Sequence, residues 1–302
     1  MLKMKKRLII SVFLLLALIS GLYAQESKKV TYADKKQIED FFKSKTMVVM
    51  DADALIGYNI VAPDAVKKYW TITPYEIISS DQFDKLRTDP KLSFIFLSKV
   101  RLEKDIEEVY YLYMNVVMGA KVRDITDLPE LLSLPMAYTG VDEDDYLDKL
   151  PLMIRFAQVH LEGLKTAKNP RLLYNLNNLG AEAQRLKDQT LSQLVKEKTL
   201  LVKESDLSEQ VNTLEKIQKE YAGKVKIVSS EEMEKAIEEK APNTAVLHQI
   251  GPAEDENKGR SYRQIFGTDD AKLYYYNHQT ISQKRPAGML ARDFRLISGK
   301  MF

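Results

Sequence analysis

Short apolar runs alternate with amphipathic stretches along most of the chain. The runs KTMVV (45–49), SFIFLS (93–98) and TAVLHQI (244–250) are four to eight residues long and rich in β-branched or aromatic residues. Runs of this length and composition predict buried strands. The longer stretches between them have apolar residues at helical spacing. The pattern therefore predicts a fold in which strands and helices alternate.

One segment occurs twice. YEIISSDQFDKL (75–86) and VKIVSSEEMEKAI (225–237) both start with a short strand and continue into a helix that begins near a pair of serines. A serine before the first turn, with Gln or Glu three residues later, is the capping-box pattern, in which side chains bond the free N–H groups of the helix start. We therefore predict a structural role for these serines.

The similarity extends outward from the repeated segment. KTMVV precedes the first copy and KTLLV (198–202) precedes the second, while YYLYMNVV (110–117) and LYYYNHQT (273–280) close the two units. Each unit is predicted to be a β-α-β-α-β-β module, and residues 251–272 are predicted to be a loop of the second. The fold class is α/β, with α+β as the alternative: two tandem modules joined by a helical hairpin.

The hairpin is predicted between the two modules. Apolar residues recur at helical spacing from Tyr146 to Lys165, and a second run with an apolar stripe begins at Pro170 and extends to Leu186. The predicted organisation is a signal peptide (1–24), a first module (25–120), a connector and hairpin (121–197), a second module (198–282) and a tail with a short closing helix (283–302).

Export is predicted from residues 1–24. Lys3, Lys5, Lys6 and Arg7 precede an uncharged apolar run to Leu22, which is the layout of a secretory signal peptide; the alternative is an uncleaved anchor. Removal of these four positive charges changes the formal net charge from +2 to −2. A nearly neutral chain without a further long apolar run indicates no nucleic-acid partner and no later membrane span. The periplasm and the cell exterior are not distinguished.

Few kinds of catalytic chemistry have a signal in the sequence. The chain has no cysteine, which excludes thiol nucleophiles and Cys-ligated metals, and it contains none of the GxGxxG, GxxxxGK[ST], GxSxG or HExxH motifs. The three histidines, His160, His248 and His278, have no clear acid partners at metal-ligand spacing. No cofactor and no metal site are predicted.

A basic and aromatic group in the second module is the candidate binding surface. Arginine and tyrosine offer large contact areas with polar tips and are favoured at binding surfaces. The alternative is that the tyrosines pack in the sheet and the basic residues remain solvated. The candidate residues are Lys258, Arg260, Tyr262, Arg263, Tyr275 and His278.

The segments KTLLVKESDLSE (198–209), KVKIVSSEEMEKAI (224–237) and TAVLHQIG (244–251) follow a signal-like start, and in this combination the chain resembles uncharacterised exported proteins of Gram-negative bacteria. The module is also similar to small α/β modules of periplasmic Tol-type and curli-secretion proteins, a likeness of fold only.

The first functional hypothesis is an exported, non-enzymatic envelope protein that binds or scaffolds a protein or cell-wall partner. The alternatives are a hydrolase that uses His248 or His278 with acids of the 251–270 segment, and a soluble carrier of a small ligand held between the modules. The sequence leaves the oligomeric state and the identity of any ligand open.

Overall fold

Two five-stranded sheets with the same strand order form the framework of the structure. The computed structural model of the chain describes residues 30–52, 56–102, 105, 109–174, 176, 189–252 and 258–300. The described residues from Thr31 onward belong to one compact unit.

The first sheet has the order β2-β1-β3-β4-β5, with β1, β2 and β3 parallel and β4 and β5 antiparallel to their neighbours. Its strands are β1 (Lys45–Val49), β2 (Tyr75–Ile78), β3 (Leu92–Val100), β4 (Tyr111–Met118) and β5 (Glu130–Tyr138). The second sheet repeats this arrangement as β7-β6-β8-β9-β10. Its strands are β6 (Thr199–Val202), β7 (Lys224–Ile227), β8 (Thr244–Ile250), β9 (Arg260–Gly267) and β10 (Leu273–Thr280).

Helices connect the parallel strands and fill the space around the sheets. In the described part of the chain they are α1 (Lys35–Phe41), α2 (Tyr58–Tyr69), α3 (Ser80–Leu86), α4 (Leu150–Thr166), α5 (Arg171–Tyr174), α6 (Gln189–Glu197), α7 (Leu214–Glu220), α8 (Ser230–Glu238) and α9 (Ala291–Ile297). The predicted α/β class and the duplication of the module are confirmed by these two equivalent sheets. The closing helix predicted in the tail is α9.

Each module contains one strand more than the sequence predicts. The prediction of a loop across 251–272 is wrong for residues 260–267, which form β9 in the middle of the second sheet. This strand carries polar side chains that are buried, such as Arg263 and Gln264. The Nε2 of Gln264 donates to a carbonyl of the first module at 2.9 Å. Long-range polar pairing of this kind gives no signal in a local hydrophobic pattern.

The first module likewise extends to Tyr138, because β5 forms from residues 130–138 of the predicted connector. Proline inside a run normally argues against a strand, but it is tolerated on edge strands and at bulges. Pro135 lies on β5, which is an edge strand of its sheet, and the pairing register with β4 shifts between Leu112 and Tyr113. This shift is a bulge at Met136 that lets the edge strand bend.

The predicted capping boxes are present at both repeated helices. In α3 the Ser79 hydroxyl accepts from the Gln82 N–H at 3.3 Å, and the Ser79 N–H donates to the Gln82 side chain at 2.9 Å. In α8 the corresponding distances between Ser229 and Glu232 are 3.2 and 2.9 Å. The repeated serines therefore satisfy the backbone at the start of each helix.

The long helix α4, predicted from Tyr146 to Lys165, lies in the core between the modules. It packs against α1, α2, α8 and β5, and apolar residues of both modules join its cluster. A helix that is buried on most sides is apolar around most of its circumference, and residues 152–154 of α4 are buried consecutively. Of the predicted second hairpin helix, residues 175 and 177–186 lie outside the described residues.

The two modules present opposite faces to this shared core. In the first module, α2 packs on the inner face and Phe83 of α3 lies in a separate outer cluster. In the second module the assignment is reversed, because Met233 and Ile237 of α8 are in the shared core and Ile217 of α7 is in an outer cluster. The copies are thus equivalent in topology and different in their surroundings.

Candidate functional site

A cavity lies at the carboxyl ends of β6 and β8. These two strands are parallel neighbours. From β6 the chain continues to β7 on one side of the pair, and from β8 it continues to β9 on the other side. Such a switch point leaves a crevice where ligands of open α/β sheets bind. The cavity has a volume of about 440 Å³ and is lined by residues 203, 205 and 206 after β6, by 248–252, and by residues of the 136–146 segment of the first module. We call it the switch-point cavity.

His248 stands on β8 and lines the cavity while being only 1% exposed. Its Nε2 lies 2.8 Å from the carbonyl oxygen of Met136. A carbonyl only accepts hydrogen bonds, so Nε2 carries the proton and Nδ1 is an acceptor. Burial, together with the charge of Lys149, lowers the pKa of His248 well below its usual value, and the imidazole is neutral at pH 7. Nδ1 has no hydrogen-bond partner among the described residues.

Asp206 ends the 3₁₀ turn Glu204–Asp206 that follows β6, and it lines the same cavity. Its backbone is fixed by the segment before α9, since its carbonyl accepts from the Met289 N–H at 2.8 Å. Burial raises the pKa of its carboxyl to about 6, although the nearby charges of Lys149 and Lys203 oppose this effect. Within the described part of the chain, Oδ2 of Asp206 has no hydrogen-bond partner. We call His248 Nδ1 and Asp206 Oδ2 the open acceptors.

The two lysines near these groups already have acidic partners. Lys149 Nζ lies 2.9 and 3.0 Å from the carboxylate oxygens of Asp148 and also donates to the Asp145 carbonyl at 3.1 Å. Lys203 Nζ lies 3.6 Å from Asp145 Oδ1, an ion-pair distance beyond hydrogen-bond range. Each lysine is therefore balanced by an acid other than Asp206, whose charge is left in excess when it ionises.

The first module supplies one wall of the cavity through its edge strand. Because of the bulge at Met136, two successive carbonyls of β5 accept from the second sheet: Pro135 from Gln264 and Met136 from His248. Tyr146 and Asp145 complete this wall from the segment that leads into α4. The site is composite, and it forms only when the modules are packed together.

Strand register identifies the positions of the first module that correspond to this site. Tyr75 and Val225 open the two repeated segments, and their partners are equivalent: Thr46 pairs with Tyr75 and Ser93, and Leu200 pairs with Val225 and Ala245. The structural alignment of β1 with β6 is thus shifted by one residue from the sequence match of KTMVV with KTLLV.

Counting along the paired strands, Phe96 corresponds to His248 and Ala52 corresponds to Asp206. The first module also has a cavity at its switch point, of about 300 Å³, and both Phe96 and Ala52 line it. Its lining residues all belong to the first module. The histidine and the aspartate of the switch-point cavity therefore have apolar counterparts in the first copy, although Asp51, Ser80 and Ser98 are among the lining residues there.

Four of the predicted binding residues lie where the second sheet meets the first module. Arg260 Nε donates to Asp105 at 2.8 Å, and the Lys258 carbonyl accepts from a tyrosine of the first module at 3.2 Å. The Tyr262 hydroxyl lies 3.0 Å from that of Tyr113. His278 packs against the Tyr262 ring, with 5.6 Å between ring centroids. These residues join the two modules, and Tyr262 is buried.

The other two predicted residues lie on the opposite face of the sheet. Arg263 is 1% exposed and forms an ion pair with Asp293 of α9 at 3.3 Å. The Tyr275 hydroxyl donates to the same carboxylate at 2.7 Å. The structure therefore divides the six candidates between two faces of the second sheet: Tyr262, Arg263 and Tyr275 are buried, and Lys258, Arg260 and His278 are partly exposed.

The two histidines of the hydrolase hypothesis are also separated. They stand on β8 and β10, with β9 between them. Asp269 and Asp270, acids at the end of the segment named in that hypothesis, form ion pairs with Lys198, which precedes β6 at the opposite end of the strands. Among the described residues, none of the hydrogen bonds of His248 involves a carboxylate or a hydroxyl.

Sequence reasoning missed Asp206, Lys203 and the contribution of Asp145. Acids that follow a strand are typical of a helix start and carry no signal of a site, and the predicted boundary of the first module excludes residues 136–146. A signal was present in the comparison of the two copies, because a His and an Asp of one correspond to a Phe and an Ala of the other. It depends on the correct strand register, which the sequence match misses by one residue on β1 and β6.

The described residues contain no group of three or more His, Asp or Glu side chains placed to hold a metal ion. In the same part of the chain, none of the helices has the length and apolarity needed to cross a bilayer. Comparison of the chain with family models, curated proteins and solved structures gives no match.

Proposed function

We propose that the protein is a non-enzymatic binding protein that holds a small polar molecule in the switch-point cavity. The observation that supports this proposal is that His248 and Asp206, two residues lining a cavity shared by both modules, each carry a buried acceptor atom without a hydrogen-bond partner among the described residues. A volume of about 440 Å³ falls in the range of small-molecule sites, roughly 300–1,000 Å³.

Energetics favour a ligand that donates hydrogen bonds. A buried polar atom without a partner costs about 1–3 kcal/mol. The combined cost of two such atoms is a substantial fraction of the free energy of unfolding of a typical fold, which is on the order of 5–15 kcal/mol. A ligand that donates to both atoms offsets this cost, which is the usual condition at a specific polar site.

Binding is favoured over hydrolysis by the surroundings of His248. A nucleophilic mechanism needs a hydroxyl or thiol within hydrogen-bond reach of its base. The chain has no cysteine, and no serine or threonine hydroxyl of the described residues forms a hydrogen bond with His248. The predicted scaffold or binding role in the cell envelope fits this arrangement.

Export remains part of the proposal and is tested separately. If residues 1–24 are a signal peptide, the chain expressed in a Gram-negative host is recovered from the periplasm or medium with Gln25 at its N-terminus. Recovery of the full-length chain from the cytoplasm contradicts the predicted export. Neither result bears on the cavity.

The binding proposal is tested with two matched substitutions. His248→Phe gives the second module the residue of the first, Phe96, and removes an open acceptor; His278→Phe makes the same change outside the cavity. A small-molecule library is screened by thermal unfolding of the full chain. A ligand at about 100 times its Kd stabilises the folded state by about 2.7 kcal/mol, which raises Tm by several degrees.

We expect compounds that raise the Tm of the wild type and the His278→Phe variant and leave the His248→Phe variant unchanged. Compounds that stabilise all three proteins equally bind elsewhere and contradict the assignment of the site. The hits are then incubated with the protein and followed by NMR, and conversion of a hit to product replaces the binding role by an enzymatic one.

A further inference from the structure

We propose that the ligand presents a primary ammonium group, which binds between His248 and Asp206. This inference rests on the proposed function, since it specifies the chemical class of the molecule in the same cavity. It is carried by the charges that line the cavity and by the hydrogen-bond types of the open acceptors.

The charge balance of the lining favours a cation. Its charged residues are one lysine, Lys203, and three aspartates, Asp142, Asp145 and Asp206. Lys203 is ion-paired with Asp145, and Asp142 accepts from a backbone N–H at the rim. Asp206 is the buried member of the three aspartates. Lys149 and Lys203 also act on the Asp206 carboxyl, but each is shared with another acid, Asp148 or Asp145, so three carboxylates face two lysines. A ligand with a positive charge completes this balance, because an incompletely compensated buried carboxylate is costly.

The hydrogen-bond types point to the same group. Both open acceptors need a donor, and a primary ammonium offers three N–H donors and no acceptor. A single hydroxyl donates once, so it satisfies one open acceptor and leaves the other. An anionic group meets a carboxylate and an imidazole lone pair, which repel it. Because the His248 ring is neutral, it accepts from a cation without opposing its charge.

Ionisation of Asp206 makes this binding depend on pH. The groups that face its carboxyl are Lys149, Lys203 and Asp148, from the segment before α4 and the end of β6, together with the Lys203 backbone N–H. The pKa of Asp206 is about 6, so most of the carboxyl is protonated at pH 5. We therefore expect an amine to bind more weakly at pH 5 than at pH 7.5, since protonation removes the charge that attracts it.

The experiment compares amines with otherwise matched molecules. The probes are D-glucosamine, D-glucose and N-acetylglucosamine; ethanolamine and ethylene glycol; and 1-butylamine, 1-butanol and butyrate. Binding to the full chain is followed by ligand-observed NMR and titration calorimetry. The variant is Asp206→Asn, which keeps shape and removes charge. The control is Glu204→Gln, the same change at an exposed residue of the same turn.

We expect one or more amines to bind and their neutral partners to bind at least roughly tenfold more weakly, the usual difference for a charge-assisted hydrogen bond. Asp206→Asn is expected to weaken amine binding by roughly tenfold or more and Glu204→Gln to leave it unchanged. A loss of wild-type affinity from pH 7.5 to pH 5 gives a second measurement that needs no variant.

The outcomes separate this inference from the proposed function. A neutral or anionic probe that binds and is lost in His248→Phe leaves the binding role in place and overturns the ammonium group. Equal binding of amines and their neutral partners, or equal weakening by both variants, also overturns it. If none of the amines binds at millimolar concentration, the inference fails, while the proposed function is decided by the library screen and the comparison of His248→Phe with His278→Phe.

Discussion

Replacement of Asp206 by asparagine is expected to stabilise the protein at neutral pH. The carboxyl is buried at the cavity, and its pKa is raised to about 6 from 3.8. A group whose pKa is higher in the folded state stabilises the fold when it is protonated. This contribution is complete below pH 3.8 and is lost as the pH rises through about 6.

The magnitude follows from the size of the pKa change. Each tenfold change in proton affinity corresponds to about 1.4 kcal/mol, so the rise from 3.8 to about 6 corresponds to about 3 kcal/mol. Asparagine retains an oxygen to accept from the Lys203 N–H and carries no charge at any pH. We therefore expect Asp206→Asn to raise the free energy of unfolding by up to about 3 kcal/mol at pH 7.5 and to have almost no effect at pH 4.

The assay is urea unfolding of wild type and variant across this pH range, with Glu204→Gln as the control for removal of one negative charge from the same turn. Only the difference between wild type and Asp206→Asn is expected to grow with pH. A variant that is no more stable than the wild type at pH 7.5, or a difference that is the same at both pH values, refutes the account of Asp206 as an uncompensated buried charge.

Three further changes test other buried groups. Burial lowers the pKa of His160 from 6.5 to about 4, so the free energy of unfolding is expected to fall by about 3 kcal/mol as the pH drops through that interval. The His160→Gln variant is expected to lose correspondingly less between pH 7 and pH 4, as measured by urea unfolding. Asp293→Ala leaves Arg263 buried without its ion-pair partner and is expected to cost about 3–5 kcal/mol; adding Arg263→Met is expected to recover part of this, because the Tyr275 hydroxyl lacks its acceptor in both variants. Gly288 has a φ of +88°, and a Cβ added to it would stand 2.8 Å from a backbone atom of Ser208. Gly288→Ala is therefore expected to lower Tm, whereas replacing an exposed lysine by alanine is expected to leave Tm unchanged.

Each of these has a result that contradicts it. Equal acid sensitivity of wild type and His160→Gln removes His160 from the pH response. A double replacement as unstable as Asp293→Ala shows that packing around α9, and not the unpaired arginine, is responsible for the loss. An unchanged Tm for Gly288→Ala shows that the segment before α9 can move away from the 3₁₀ turn.

Local sequence patterns were sufficient for the duplicated elements. The repeated segment predicts a strand, a capping box and a helix in each copy, and all three are present because each depends on residues within a few positions of one another. The apolar spacing from Tyr146 to Lys165 predicts α4 for the same reason.

The strands β5 and β9 required information from outside their own segments. β9 contains Arg260, Arg263 and Gln264, whose partners are an aspartate before β4, an aspartate on α9 and a carbonyl on β5. β5 contains a proline that only an edge position accommodates. The candidate site has the same character, because it combines the ends of β6 and β8 with a wall from the other module.

The orientation of the modules explains why the second copy carries the buried histidine and aspartate. In the first module the side of the sheet that holds α3 and the corresponding cavity faces away from the shared core, next to the outer cluster that contains Phe83. In the second module the equivalent side faces inward, so that the cavity is closed by β5 and by the segment leading into α4. His248 and Asp206 are buried beside these walls, whereas of their counterparts Phe96 is partly exposed and Ala52 is exposed. The duplication therefore supplied two equivalent crevices, and the asymmetric packing of the modules made one of them a composite site.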